Sequence, residues 1–207
     1  MKKPVNKKSV ALPRKRPQQA RGVFAVQTIY AGFLTLWKDK HQRPVTTRAI
    51  AELTGFSVGA IYEYFPNSQA ILSGYIRYLI DDLCQRLSPD TLNRTNSPWR
   101  QGLRDLLEIT LGLDASAKYI DRAMILEESD IAQAEHHRLA FERLSKAWRD
   151  HIRAWPDLAR PADDATINTL FVAVWGARRY MLLADITCDE VDGLLEKLQR
   201  MCETLLE

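Results

Sequence analysis

Residues 45–72, VTTRAIAELTGFSVGAIYEYFPNSQAIL, constrain the fold more than any other part of the chain. Thr46 is a helix N-cap by type, since its hydroxyl accepts from amides that lack intrahelical partners, and Ile50, Ala51 and Leu53 follow as an inward set. Gly55 ends this short helix because a positive φ is cheap only for glycine. Ser57 caps a second short helix, and Ile61 and Phe65, four apart, share its buried side. Ala51 has nothing beyond Cβ, so the two helices can cross closely. Two helices joined by a three- or four-residue turn containing glycine make a helix-turn-helix, whose second helix enters the DNA major groove.

The flanking chain reads as helices throughout. Residues 1–17 carry seven basic residues, three prolines and no helical apolar period, which predicts a flexible arm. From 18 to 38, Val23, Val26, Ile29, Tyr30, Phe33, Leu34 and Trp37 recur with helical spacing, and 39–44 form a loop. Asn67 or Ser68 caps a long helix to about 87, with Ile71, Leu72, Tyr75, Leu79 and Leu83 inward, a strut reaching past the needs of a small DNA-binding unit. Turn residues at 88–98 end it. Further helices are expected over 99–113, 118–129, 131–155 (including Leu139, Phe141, Trp148 and Trp155) and 163–184. Thr187 is expected to cap a last one to 207, with Asp189 and Glu190 in its first turn. No strand pattern and no internal repeat appears. The expected fold is all-α, about nine helices. A helix-turn-helix domain over 18–66 is followed by a bundle over 67–207 for ligand binding and dimerisation.

Charge is distributed unevenly. The net charge is only +3, yet nine of the 29 Lys/Arg and none of the 26 Asp/Glu fall in residues 1–38. A basic end on an acidic body turns a molecule toward a polyanion, and DNA phosphates are the obvious one; a solubilising tail is the other reading. With 46% hydrophobic and 27% charged residues the composition is that of a soluble globular protein. No apolar run approaches the roughly 20 residues of a membrane span, and no signal peptide is evident. Cys84, Cys188 and Cys202 are scattered and fit a reduced cytoplasmic setting, nucleoid-associated when DNA is bound.

Over residues 18–72 the sequence resembles the TetR family of bacterial transcriptional regulators. The resemblance rests on Ile50-Ala51, Gly55, Ser57-Val58-Gly59 and Tyr62-Glu63-Tyr64-Phe65. It implies a regulator, by default a repressor, that binds double-stranded operator DNA as a homodimer and is released by a small-molecule effector. The implied DNA-binding set is Thr46, Thr47, Arg48, Ser57, Val58, Gly59, Ala60, Tyr62, Tyr64, Asn67 and Ser68. Gly59 and Ala60 are small enough for close approach to a groove floor, and Val58 and Ala60 suit thymine methyls. Tyr62 and Tyr64 suit phosphate oxygens, as do the amides around Asn67 and Ser68 at a helix start. Tyr62 could instead pack the second short helix against the first long one. Relatives often carry a cation where Val58 and Ser68 stand, so the arm, with Arg14, Lys15, Arg16 and Arg21, is expected to supply phosphate attraction or enter the minor groove.

The remaining candidates concern the bundle. Tyr75, Met124, Trp148, Trp175, Arg178 and Met181 are candidate effector-pocket residues, though the tryptophans equally fill helix interfaces. Arg178 or Arg179, inside an apolar helix, could anchor an anionic effector, pair across a dimer seam, or snorkel to the surface. The last two helices are the expected dimer surface, since their apolar positions exceed what one side of packing needs. His41, His136, His137 and His151 show no metal-ligand spacing and are expected on a solvated face. No nucleophile–base pair, cofactor loop or metal set appears, so the expectation is a non-enzyme without cofactor. The alternatives are an adaptor whose bundle binds a protein, or a helical enzyme or ligand carrier retaining the helix-turn-helix.

Overall fold

In the computed structural model, residues 12–15, 17–92 and 98–207 are described, and they form ten helical segments. These are α1 (Ala20–Lys38), α2 (Thr47–Thr54), α3 (Val58–Tyr64), α4 (Ser68–Arg86), α5 (Pro89–Leu92), α6 (Trp99–Leu111), α7 (Arg122–Ile131), α8 (Ala134–Arg153), α9 (Asp164–Ala184) and α10 (Leu194–Leu206). No strand occurs among the described residues, and the all-α expectation holds. The four-residue α5 lies in the stretch read as turn. Residues 1–11 and 16 of the arm and 93–97 of the following loop lie outside the described residues. Among the described residues no helix is long and apolar enough to cross a membrane.

The chain divides into two compact units, one comprising Met1–Tyr78 with Glu128–Gln133, the other Leu79–Glu127 with Ala134–Glu207. The first unit therefore runs past 66, where the helix-turn-helix was expected to end. The reason is aromatic: Tyr75 sits edge-on to Tyr30 with ring centroids 5.7 Å apart and lies 6.1 Å from Phe33, while Tyr30 also meets Phe65 at 5.7 Å. Gly74 lets these rings close in, because a Cβ there would sit 2.7 Å from Tyr30 Oη and 2.8 Å from Phe65 Cε1. Gly32 does the same for α1 against α2, where a Cβ would meet Thr54 Cγ2 at 2.4 Å. The first part of α4 (Ala70, Ile71, Leu72 and Tyr75) is buried here, and Leu83 and Leu87 beyond belong to the second unit's core.

That second core is built from α6, α8, α9 and α10 around Leu103, Leu106, Leu107, Leu144, Trp148, Ile167, Leu170, Phe171 and Val174. Trp148 is fully buried, edge-on to Phe171, and its Nε1 donates to Thr110 Oγ1 at 3.1 Å. Glycine at 112, with φ of 77°, ends α6 in a left-handed C-cap.

Several expectations are corrected. Thr187 does not cap the last helix; the Glu190 carboxylate accepts from both its amide and its hydroxyl, at 2.7 and 2.8 Å, locking a local turn. Gly193 then takes a left-handed φ of 64°, which a helix cannot contain, so α10 starts at Leu194 and Asp189 and Glu190 precede it. The long eighth helix starts at Ala134, and Ile131 instead closes α7. Leu53 and Leu139 face solvent because each lies off the buried stripe of its helix, whereas Phe141 lies on that stripe, 5.9 Å from the Phe171 ring, and is still 39% exposed. His151 is fully buried rather than solvated. Of residues 12–15 and 17, Arg14 bonds to the Tyr62 and Tyr64 carbonyls of α3, and Pro17 Cβ lies 2.8 Å from where a Gly22 Cβ of α1 would be.

Candidate nucleic-acid interface

Three N-caps set the geometry of the helix-turn-helix. Thr46 Oγ1 accepts from the Ala49 amide at 3.1 Å, Ser57 Oγ from the Ala60 amide at 3.1 Å, and Asn67 Oδ1 from the Ala70 amide at 2.8 Å. Each satisfies a donor that the first turn of a helix leaves orphaned. Gly55 supplies the left-handed turn, with φ of 74° and no neighbour within 4 Å of a notional Cβ. Ile50 and Ile61 are fully buried, so the inner faces of α2 and α3 are committed to the core.

The outer face carries the remaining candidates. Ser57 and Gly59 are exposed, and Val58 and Ala60 are half-buried. At Gly59 a Cβ would find only Ser57 Oγ, 3.8 Å away, so the α3 backbone is open to close approach. Tyr62 is 40% exposed, and its Oη accepts from Thr47 Oγ1 at 3.3 Å. That bond orients the ring and leaves the phenolic proton for an outside acceptor. Tyr64 is half-buried and packs at 6.4 Å on Phe65. Ser68 is half-buried at the start of α4.

Charge on this face is sparse. Arg48 pairs with Glu52 at 3.2 Å, but both are strongly exposed, so the pair is weak and the guanidinium can turn outward. Sequence reasoning named Arg14 and Lys15 as phosphate-attracting cations but missed that both sit at the C-terminal end of α3. Arg14 donates from its amide to the Tyr64 carbonyl at 2.7 Å and from Nη1 to the Tyr62 carbonyl at 2.9 Å, and Lys15 Nζ lies 3.7 Å from Glu63 Oε2. No local pattern announces such contacts, because about fifty residues separate the partners.

The effector candidates are distributed differently. Tyr75 belongs to the aromatic core of the first unit, apart from the other five. Trp148 and Arg178 converge on Thr110, whose hydroxyl takes the indole proton and whose carbonyl takes a 2.8 Å bond from Arg178 Nη1. The Arg178 guanidinium also lies over the Trp175 ring, 5.5 Å from its centroid. Burial, with Arg86 nearby, pulls its pKa down to about 10, so it stays charged at neutral pH. Met124 is buried and Met181 half-buried. A cleft of about 90 Å³ beside Trp155, Leu158 and Pro161 includes none of the six and is well below the size of an ordinary small-molecule site.

No curated protein matches the chain. Residues 34–74 match the family model described as bacterial regulatory proteins, tetR family. The matched segment takes in the end of α1, all of α2 and α3 with their caps and glycine turn, and the start of α4. Residues 34–74 thus carry the N-terminal helix-turn-helix segment of the TetR family of DNA-binding transcriptional regulators.

Proposed function

We propose that this regulator is a repressor that binds its operator as a homodimer and is released when an effector occupies the second unit. The observation that carries the DNA-binding geometry is the outer face of α3, where small residues and an oriented tyrosine hydroxyl stand over a capped, fully packed inner face. Val58 and Ala60 meet thymine methyls in the major groove, and Gly59 lets the helix seat deeply. Thr46, Thr47, Arg48, Ser57, Tyr62 and Tyr64, with Asn67 and Ser68 at the start of α4, bind phosphates and fix the docking angle.

Dimerisation is assigned to α9 and α10, which expose Val172, Tyr180, Met201 and Leu205. Large apolar side chains left on two neighbouring helices favour burial against a second copy. The effector is assigned to the surroundings of Trp148, Trp175 and Arg178, with Met124 and Met181 as further contacts. An anionic group there would compete with the Thr110 carbonyl for Arg178 and shift the population toward a form unable to fit both half-sites.

A gel shift on the DNA flanking this gene, repeated with candidate carboxylate effectors, tests the reading. Retardation that an effector abolishes is expected; no retardation on any genomic fragment would overturn it. One observation favours a protein partner over a small molecule: Leu139 and Phe141 are exposed on α8. Release of DNA by a captured protein, with no response to small molecules, would decide for that alternative.

A further inference from the structure

The recognition helix is only seven residues long, and isolated helices of that length are not stable in water. Its last internal bond runs from the Phe65 amide to the Ile61 carbonyl, which leaves the carbonyls of Tyr62, Glu63 and Tyr64 beyond the intrahelical ladder. Arg14 takes two of these three, one through its main-chain amide and one through its guanidinium. The positive charge also lies at the negative end of the α3 dipole, and Lys15 adds a second beside Glu63. Two prolines flank this segment and pack it against the helices. Pro13 Cγ lies 3.1 Å from where a Gly74 Cβ would be, and Pro17 Cβ is 2.8 Å from the corresponding point at Gly22. Glycine at both positions makes room for the segment to lie flat on the helices.

We infer that Arg14 is a positioning residue for DNA binding: it clasps the C-terminal end of α3 and holds the recognition helix formed and in place before DNA arrives. The inference rests on the DNA-binding reading above and assigns different work to two parts of the basic arm. Arg14 and Lys15 act through α3, whereas Lys2, Lys3, Lys7 and Lys8 attract phosphate. A group that neutralises phosphate contributes to the salt dependence of binding, about 0.9 per contact in log–log slope, and one that only shapes the protein does not.

The experiment compares the full-length protein with Arg14→Ala and with a deletion of residues 1–11. Affinity for a duplex of the DNA flanking the gene is measured across a salt series. Amide exchange at Tyr64 and Phe65 is measured by NMR in the DNA-free protein. Arg14→Ala is expected to weaken binding about tenfold at unchanged salt slope, and to speed exchange at both amides by a similar factor, as loss of a charged hydrogen bond implies. The 1–11 deletion is expected to lower the slope and leave that exchange unaltered. Unchanged exchange in Arg14→Ala, or a slope that falls by one phosphate contact, overturns the clasp. If the full-length protein retards no DNA, the DNA-binding reading fails and the claim on affinity with it, while the exchange comparison still decides whether Arg14 holds α3.

Discussion

The two compact units are stabilised in different ways. In the first, the core is a knot of rings from Tyr30, Phe33, Phe65 and Tyr75 over the aliphatic Ile50 and Ile61, and the pairs Arg48–Glu52 and Lys15–Glu63 lie at the surface. In the second, polar groups are drawn inward. Thr110, Ser145 and His151 are buried, and Arg86 pairs with Asp82 at 3.0 Å and with Asp114 at 2.6 Å while only about a fifth exposed. Arg143 pairs with Asp81 at 2.5 Å. A core of rings and methyls responds little to pH, whereas buried polar groups are costly once a partner is lost or a proton is gained. The first unit does bury one carboxylate, Glu128, but the second collects more of the polar groups through which a change of pH acts.

The contrast is tested most strongly at Trp148. Replacing it with alanine removes a fully buried indole and its bond to Thr110, and should cost the second unit about 3–5 kcal/mol in urea unfolding. A loss under about 1 kcal/mol would mean that this core tolerates voids and is loosely packed.

His151 comes next. Burial lowers its pKa from 6.5 to about 4, a nearby Asp105 opposing only in part, and neither ring nitrogen has a hydrogen-bond partner among the described residues. Below pH 6.5 the unfolded chain takes up a proton that the folded one resists. Stability is therefore complete above that pH and is lost as pH falls toward 4, by about 3 kcal/mol in all. His151→Leu should flatten this part of the melting-temperature profile, and an unaltered profile would show that other groups set the acid limit.

On the first unit, deletion of residues 1–16 removes both the clasp and the cations ahead of it. DNA affinity should fall about a hundredfold, with a salt slope lower by about two or more. An unchanged slope in the truncated protein would remove the arm from the DNA-binding account. The smallest effect is expected at Ser57→Ala, which deletes the α3 N-cap and should cost about 1 kcal/mol, read as a small drop in midpoint denaturant concentration. A larger loss would show that Ser57 does more than cap.

Much of the reading head was legible in the sequence because its determinants are local. Thr46, Ser57 and Asn67 each cap an amide three residues on, and Gly55 turns the chain by its own φ. Ile50, Ala51, Ile61 and Phe65 could be assigned inward from spacing alone, and all four are buried. Leu53 and Leu139 could not be placed in the same way, since a side chain is inside only if another element covers it.

Sequence alone thus determined a helical chain with a capped helix-turn-helix, a recognition helix without cations and a basic N-terminal stretch. Tertiary structure decided what the distant residues do. It put Arg14 on the carbonyls of α3, set Arg178 on the Thr110 carbonyl, drew His151 inside, and delayed α10 until Leu194. The division has one physical reason. Caps and turns are closed by atoms within about four residues of one another, whereas docking and burial depend on which surfaces the folded chain brings together.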